Sequence, residues 1–281
     1  MSADLRRRGL LAATLAAPVL LGARTAFAQA GPTPLSIALA PFLSPAALLA
    51  AFRPLREHLE RRLARPVEMV TAKDFRSLCE TVRTQREDVA MMPAHLARLA
   101  IADWGYQPLV ATLDSFQTIV VVRRDSPVRA PADLRGAVVG TLDALSLTAT
   151  VGQLWLREQG LADSVTVQTV PSINSALFSL DRGELGAVIA GDTQLAGLPP
   201  TTPRTERVLA TVRDAPGPVY VARGSLPAIE LDALRAAMIG FTPDPARPAT
   251  AANARLHAVE PALLARLDPL AAIARRVLGG G

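Results

Sequence analysis

Ala137-Val-Val-Gly-Thr-Leu-Asp-Ala-Leu-Ser-Leu-Thr-Ala-Thr150 runs from an apolar strand, through a short loop that carries hydroxyls, into a helix. A strand that turns straight into a helix is the repeating unit of an α/β protein. The first turn of any helix has backbone N–H groups without intrahelical partners and a partial positive charge. Ser146 and Thr148 are therefore placed to hold a phosphate-like or carboxylate group. The same residues also suit a plain N-cap of a helix Leu147–Gln159, because Ser and Thr favour that position with or without a ligand. The loop alone leaves both readings open.

The N-terminus supplies context. Arg6-Arg-Arg8, an apolar run from Gly9 to Gly22 and Ala26-Phe-Ala28 read together as an export signal. The start is basic, the hydrophobic stretch is too short to span a bilayer, and an A-x-A site follows. Cleavage after Ala28 makes residues 1–28 a signal and Gln29 the first mature residue. Arg7-Arg8-Gly9-Leu10-Leu11 is similar to twin-arginine signals, with general secretion as the alternative. Four arginines and one aspartate leave with the signal, so the formal charge of +5 falls to about +2. With no DNA- or RNA-binding motif, nucleic acid is not an expected partner. Roughly 250 residues remain, enough for two lobes with a core each.

Cys79 is the only cysteine, so no intrachain disulfide can form, and none lies near the cleavage site to carry a lipid. Phe75, Leu78, Cys79 and Val82 recur at helical spacing, which reads as a buried thiol in a core face. The expected product is a soluble periplasmic monomer without a lipid anchor.

Along the mature chain, apolar strand runs alternate with amphipathic helices. Strands are expected at Leu35–Leu39, Val67–Thr71, Val89–Met92, Gln107–Thr112 and Gln117–Val122, with helices within Ala46–Leu63 and at Asp74–Thr84 and Pro93–Trp104. Pro54 should kink or divide the first of these helices. A second set follows: strands Ala137–Gly140, Val165–Thr169 and Leu185–Ala190 with helices Leu147–Gln159 and Ile173–Asp181. Strands Val208–Val212 and Pro218–Arg223 then lead to closing helices Pro227–Ile239 and Pro261–Leu278. The pattern predicts two lobes, each a mostly parallel sheet flanked by helices, joined by a two-strand hinge. Residues 33–116 plus 219–281 form lobe one and 117–218 lobe two.

Enzyme signatures are missing from the chain: there is no HExxH, GxSxG or P-loop, and no GxGxxG at the first strand–helix turn. His58 reads as a solvated helix residue and His257 has no evident partner. His95 follows a strand end, where open α/β sheets place ligands, and is either a ligand donor or a structural histidine. It has no companions for a metal site. Asp88 reads as a cap or turn residue, Asp143 as the residue that orders its loop, and Arg61, Arg62 and Arg65 as a solvated helix end.

The order of elements resembles the periplasmic substrate-binding proteins of ABC transporters, in the phosphonate/phosphate/phosphite-binding branch with its type 2 fold. The residues that carry the resemblance are Pro41-Phe-Leu-Ser-Pro45, Phe52-Arg-Pro-Leu55 with His58-Leu-Glu60, Asp88-Val-Ala-Met-Met-Pro-Ala-His95, Asp133-Leu-Arg-Gly136 and the Asp143, Ser146, Thr148 loop. In that branch the loop looks like Asp-Pro-x-Ser-Thr-Ser-Gly and its hydroxyls bind the oxyanion. Ser146 and Thr148 match the first and third hydroxyl positions, Leu147 stands at the second, and Ala144 and Ala149 replace the Pro and Gly. The resemblance further places Met92 and Phe116 at cleft aromatics, Pro171-Ser-Ile-Asn174 at a later ligand loop, and Asp192 at an acidic position after the next strand. It implies that Phe42, Met92, His95, Phe116, Ser172, Asn174 and Asp192 complete a cleft around Ser146, Leu147 and Thr148, without metal or cofactor. Each of Phe42, Met92 and Phe116 also reads as ordinary core.

A doubly charged anion needs several donors to replace its water. Leu147 removes one, which favours a monoanion or a larger ligand with an apolar body. The expected function is a non-enzymatic receptor that closes on a small phosphonate- or phosphate-ester-like anion and delivers it to an ABC permease. A sulfonate- or thiamine-precursor-type receptor is the alternative, as is a periplasmic dehydratase-like enzyme using His95 or Asp192 for proton transfer.

Overall fold

The computed structural model describes residues 33–112, 115–196, 198, 201, 203–247 and 250–279, so the export signal read at 1–28 lies outside the described residues. The first group of elements is β1 (Leu35–Leu39), α1 (Pro45–Leu63), β2 (Val67–Thr71), α2 (Phe75–Arg83), β3 (Val89–Met92), α3 (Ala94–Asp103) and β4 (Tyr106–Thr112). The second is β5 (Ser115–Arg123), β6 (Val138–Thr141), α4 (Leu147–Glu158), β7 (Thr166–Thr169), α5 (Ile173–Asp181), β8 (Ala187–Gly191), α6 (Asp192–Ala196) and β9 (Glu206–Pro216). The chain closes with β10 (Val219–Arg223), α7 (Ala228–Ile239), β11 (Leu256–His257) and α8 (Pro261–Gly279).

Two sheets result, in the orders β11-β4-β10-β3-β1-β2 and β7-β6-β8-β5-β9. The strands joined by helices are parallel: β2, β1 and β3 in the first sheet, and β7, β6 and β8 in the second. The others are antiparallel, with β10 between β3 and β4, β11 beside β4, and β5 between β8 and β9. Each sheet thus has a parallel set of three strands with antiparallel neighbours added beside it, within the expected architecture of two helix-flanked sheets. Parallel neighbours need a long crossover between them. β4 passes to β5, and β9 to β10, through two-residue links with no helix to carry the chain back. The two links form the two-strand hinge, and the Thr112 N–H donates to the Pro218 carbonyl at 3.2 Å.

Burial explains why short runs became strands. All four residues of β3 are buried, as expected for a strand covered on both faces. Along β5, Ile119 and Val121 pack into one cluster of the second sheet and Val120 and Val122 into the other, following the two-residue period. The first sheet has a single large core, to which α1 contributes Leu48, Phe52, Leu55 and Leu59. Pro54 does not divide α1, which is continuous from Pro45 to Leu63. The Ala50 carbonyl that Pro54 cannot serve belongs to an exposed residue, where solvent can take the place of the lost donor.

Other local readings have simple physical outcomes. Asp74 caps α2 by accepting from the Ser77 N–H at 2.7 Å. Cys79 is core, and burial pushes its thiol up to about 12. Asp88 ties strands together rather than capping: it accepts from the Ser36 N–H at 3.0 Å and from Arg223 Nη2 at 2.8 Å, fastening the start of β3 to β1 and to the end of β10.

Candidate functional site

The β6–α4 turn is held by its own polar groups. Asp143 orders it, accepting through Oδ1 from the Leu145 N–H at 2.8 Å and through its carbonyl from the Ser146 N–H at 2.8 Å. Ser146 is the N-cap of α4, and its Oγ accepts from the Ala149 N–H at 3.1 Å. Ser146, Leu147 and Thr148 are all buried. Among the described residues, the Leu147 and Thr148 N–H groups have no protein acceptor, so the first turn of α4 retains two unserved donors and its positive end.

The turn reaches across to the first sheet. Leu145, Leu147 and Val151 belong to that sheet's hydrophobic core, although they stand on the chain of the second. From the other side comes His95, in the first turn of α3 and fully buried. Its Nε2 lies 3.2 Å from Thr150 Oγ1, and the Thr150 hydroxyl donates to the Ser146 carbonyl at 2.9 Å. Burial pushes the imidazole down to about 3, with the Leu145 backbone acting in the opposite direction, so His95 is neutral at ordinary pH.

The structure therefore brings together Ser146, Leu147, Thr148 and His95, with Met92 just before α3. Met92 itself is fully buried in the first-sheet core, its residue paired with Val219. Phe116 is half-buried against the same core and lies against Gly191, where a Cβ would come within 3.3 Å of its ring. Asp192 adjoins it, accepting from the N–H groups of Gln117 at 3.0 Å and Thr193 at 2.7 Å. Phe42 stands on the β1–α1 loop, 42% exposed, edge-on to Phe52 with ring centroids 6.2 Å apart. Ser172 caps α5 through the Ser175 N–H at 3.1 Å, and Asn174 is exposed. No hydrogen bond joins Phe42, Ser172 or Asn174 to the α4 turn among the described residues.

Sequence reasoning missed Thr150, although it lies at the end of the deciding stretch. A Thr four residues after an N-cap is a signal for a bond back to the cap's carbonyl. Also missed were the hydroxyls of Thr112, Thr118, Thr141 and Tyr220, which are buried without a protein partner. They sit beside the hinge links or at the end of β6, and burial pushes the Tyr220 phenol well above its ordinary value. No three or more His, Cys, Asp or Glu side chains among the described residues could hold a metal ion. None of the described helices is long and apolar enough to cross a membrane.

Residues 37–267 match the family described as ABC transporter, phosphonate, periplasmic substrate-binding protein. The chain belongs to that family. Solved structures show the same two-lobed fold. XAC2383 from Xanthomonas citri, bound to chloride, is 21% identical over 88% of this chain and 99% of its own, with a TM-score of 0.74. PhnD1 from Prochlorococcus marinus, in complex with methylphosphonate, is 11% identical over 88% and 99%, with a TM-score of 0.71. The aliphatic sulphonate binding protein SsuA from Escherichia coli is 17% identical over 69% and 66%, with a TM-score of 0.54. The family is the periplasmic, ligand-binding component of ABC transporters.

Proposed function

We propose that this chain captures a phosphonate- or phosphate-ester-like anion at the N-terminus of α4 and delivers it to an ABC permease without altering it. The observation that carries the reading is the buried first turn of α4, with Ser146 and Thr148 beside the unserved N–H groups of Leu147 and Thr148. Membership of a phosphonate-binding family supports it. So do the relatives: the Prochlorococcus protein holds methylphosphonate, and the Xanthomonas protein has been seen with chloride and with ATP.

Leu147 narrows the choice. With an apolar side chain where the branch carries a hydroxyl, the turn offers fewer donors to a dianion, which favours an ester with an apolar body over free phosphate. Phe42, Met92, Phe116, Ser172, Asn174 and Asp192 are assigned to the remainder of the cleft. Residues 33–116 with 219–281 are assigned to one moving lobe and 117–218 to the other, closing by hinge motion. The export signal at 1–28, of twin-arginine type, and a monomeric product without a lipid anchor complete the reading.

The test is a thermal-shift panel on residues 29–281 with methylphosphonate, phosphate, ATP, adenosine monophosphate and methanesulfonate. A ligand at a hundred times its Kd should stabilise the protein by about 2.7 kcal/mol. At least one phosphorus anion is expected to act, with the shift lost in the Ser146→Ala/Thr148→Ala double variant. A stronger response to methanesulfonate would replace phosphonate by sulfonate. Phosphorus NMR of the incubated ligand would reveal conversion, which would overturn the reading as a receptor.

A further inference from the structure

We propose that His95 is a positioning residue: through the Thr150 hydroxyl it sets the Ser146 carbonyl and the first turn of α4, so that lobe closure completes the anion site and acid loosens it. The proposal rests on the reading of that turn as the anion site.

A relay of two hydrogen bonds supports it. The Ser146 carbonyl can only accept, so the Thr150 hydroxyl spends its proton there, at 2.9 Å. The hydroxyl oxygen is then left to accept from His95 Nε2–H at 3.2 Å. That reading puts a proton on Nε2; Nδ1 has no hydrogen-bond partner, although the Leu145 backbone stands near enough to the ring to favour its protonated form. The relay crosses between sheets, because α3 lies between strands of the first and α4 between strands of the second. Leu145, Leu147 and Val151 reach the first-sheet core in the same step. The relay and the apolar contact therefore exist together, and parting the sheets breaks both.

No charged side chain is bonded to the imidazole. On α3 itself, Arg98 pairs with Asp268 of α8 and Asp103 with Arg275 of α8. The other ionisable groups on the surrounding elements are Arg76, Cys79, Glu80 and Arg83 of α2, Tyr106 of β4, Tyr220 and Arg223 of β10, Asp143 before α4, and Arg157 and Glu158 of α4, whereas the side-chain hydrogen bond of His95 is to Thr150. A protonated His95 would thus be buried without a counter-ion. With the sheets together as they are in this structure, burial holds the imidazole at about 3, against an ordinary value of 6.5 for a ring in water. The sign follows from linkage. Above pH 6.5 both forms are neutral and closure is unaffected. Below it the open form takes a proton that the closed form refuses, and closure weakens by up to about tenfold per pH unit.

The experiment compares the wild type with His95→Gln, whose amide can still donate to Thr150 but does not titrate. Methylphosphonate affinity is measured at pH 7.5 and 5.5, and the ratio of the two proteins removes the ligand's own titration. The expected result is that the wild-type affinity, taken relative to the variant's at the same pH, falls about tenfold between pH 7.5 and 5.5, whatever the variant's affinity at pH 7.5. Thr150→Val should weaken binding at pH 7.5 and Thr150→Ser restore it, which keeps the test open if His95→Gln fails to fold. Small-angle scattering of the ligand-free proteins makes the same comparison without an anion. The wild type should expand at pH 5.5 and His95→Gln should not. If methylphosphonate fails to bind, the function reading suffers while the scattering still decides the role of His95. A pH response shared by both proteins would overturn the proposal. So would tighter relative binding by the wild type in acid, since that would mean His95 touches the anion directly.

Discussion

Cys79 shows how far one side chain can be read from its neighbours in sequence. Its helical spacing with Leu78 and Val82 marks a core face, and the thiol is buried with its ionisation pushed up to about 12. Reactivity belongs to the thiolate, so a thiol this far above neutral pH that is also shielded from solvent is inert. Folded protein at pH 8 is therefore expected to resist an aromatic disulfide reagent, and addition of urea should release one equivalent at the unfolding midpoint. Rapid labelling of the folded chain would contradict the burial. Asp143 was equally legible, because an aspartate two or three residues from the N–H groups it serves acts locally. His95 and Thr150 were not. Their bond spans 55 residues and joins two sheets, and nothing within a helical or strand period records such a distance. Met92 and Phe116 were ambiguous for the same reason, since an apolar side chain at a strand end reads alike whether it faces a ligand or a core.

At the scale of elements, apolar periodicity located nearly every strand and helix to within a residue or two, and the strand–helix alternation matched the two helix-flanked sheets. Direction follows from what connects two strands: helices join the parallel ones, while β5 and β10, entered through short links, run antiparallel to β8 and β3. Helix ends were more legible, because caps are local chemistry. Asp74 caps α2, and the hydrogen bond from the Ser77 N–H, helped by the Ser77 hydroxyl, holds its carboxyl below the usual carboxylate value. Asp74→Ala should cost about 1 kcal/mol of stability at pH 7, the usual worth of an N-cap. The carboxylate is the form that accepts the bond. Its contribution is therefore complete above the unfolded value of 3.8 and is lost as pH falls through the lower folded value. Urea denaturation of wild type and variant should show a gap that is constant from pH 7 to 5 and closes in acid, as pH falls below the unfolded value of 3.8 and through the lower folded one. A gap that persists in acid would assign the effect to something other than the cap.

For the whole molecule, short β4–β5 and β9–β10 connections join the two sheets, and the α4 turn of the second is seated in the first-sheet core, a contact that the proposed hinge motion would break. Leu147 is the residue to test, because it is 5% exposed in a core that its own sheet does not build. An ionised carboxylate there would have no partner, and burying an unpaired charge costs several kcal/mol. The proposed hinge motion would provide an escape that a residue inside one core lacks: parting the lobes would expose the turn without dismantling either sheet. Leu147→Asp is accordingly expected to stay folded at neutral pH, with near-native circular dichroism and a larger radius of gyration by small-angle scattering. Leu39→Asp, at a fully buried position of β1, serves as the comparison and is expected to unfold. Restoring a neutral side chain with Leu147→Asn should recover much of the compactness, since a polar amide costs far less to bury than a charge. Should Leu147→Asp unfold as completely as Leu39→Asp, the turn would be part of a single indivisible core and the two sheets could not move apart as separate lobes.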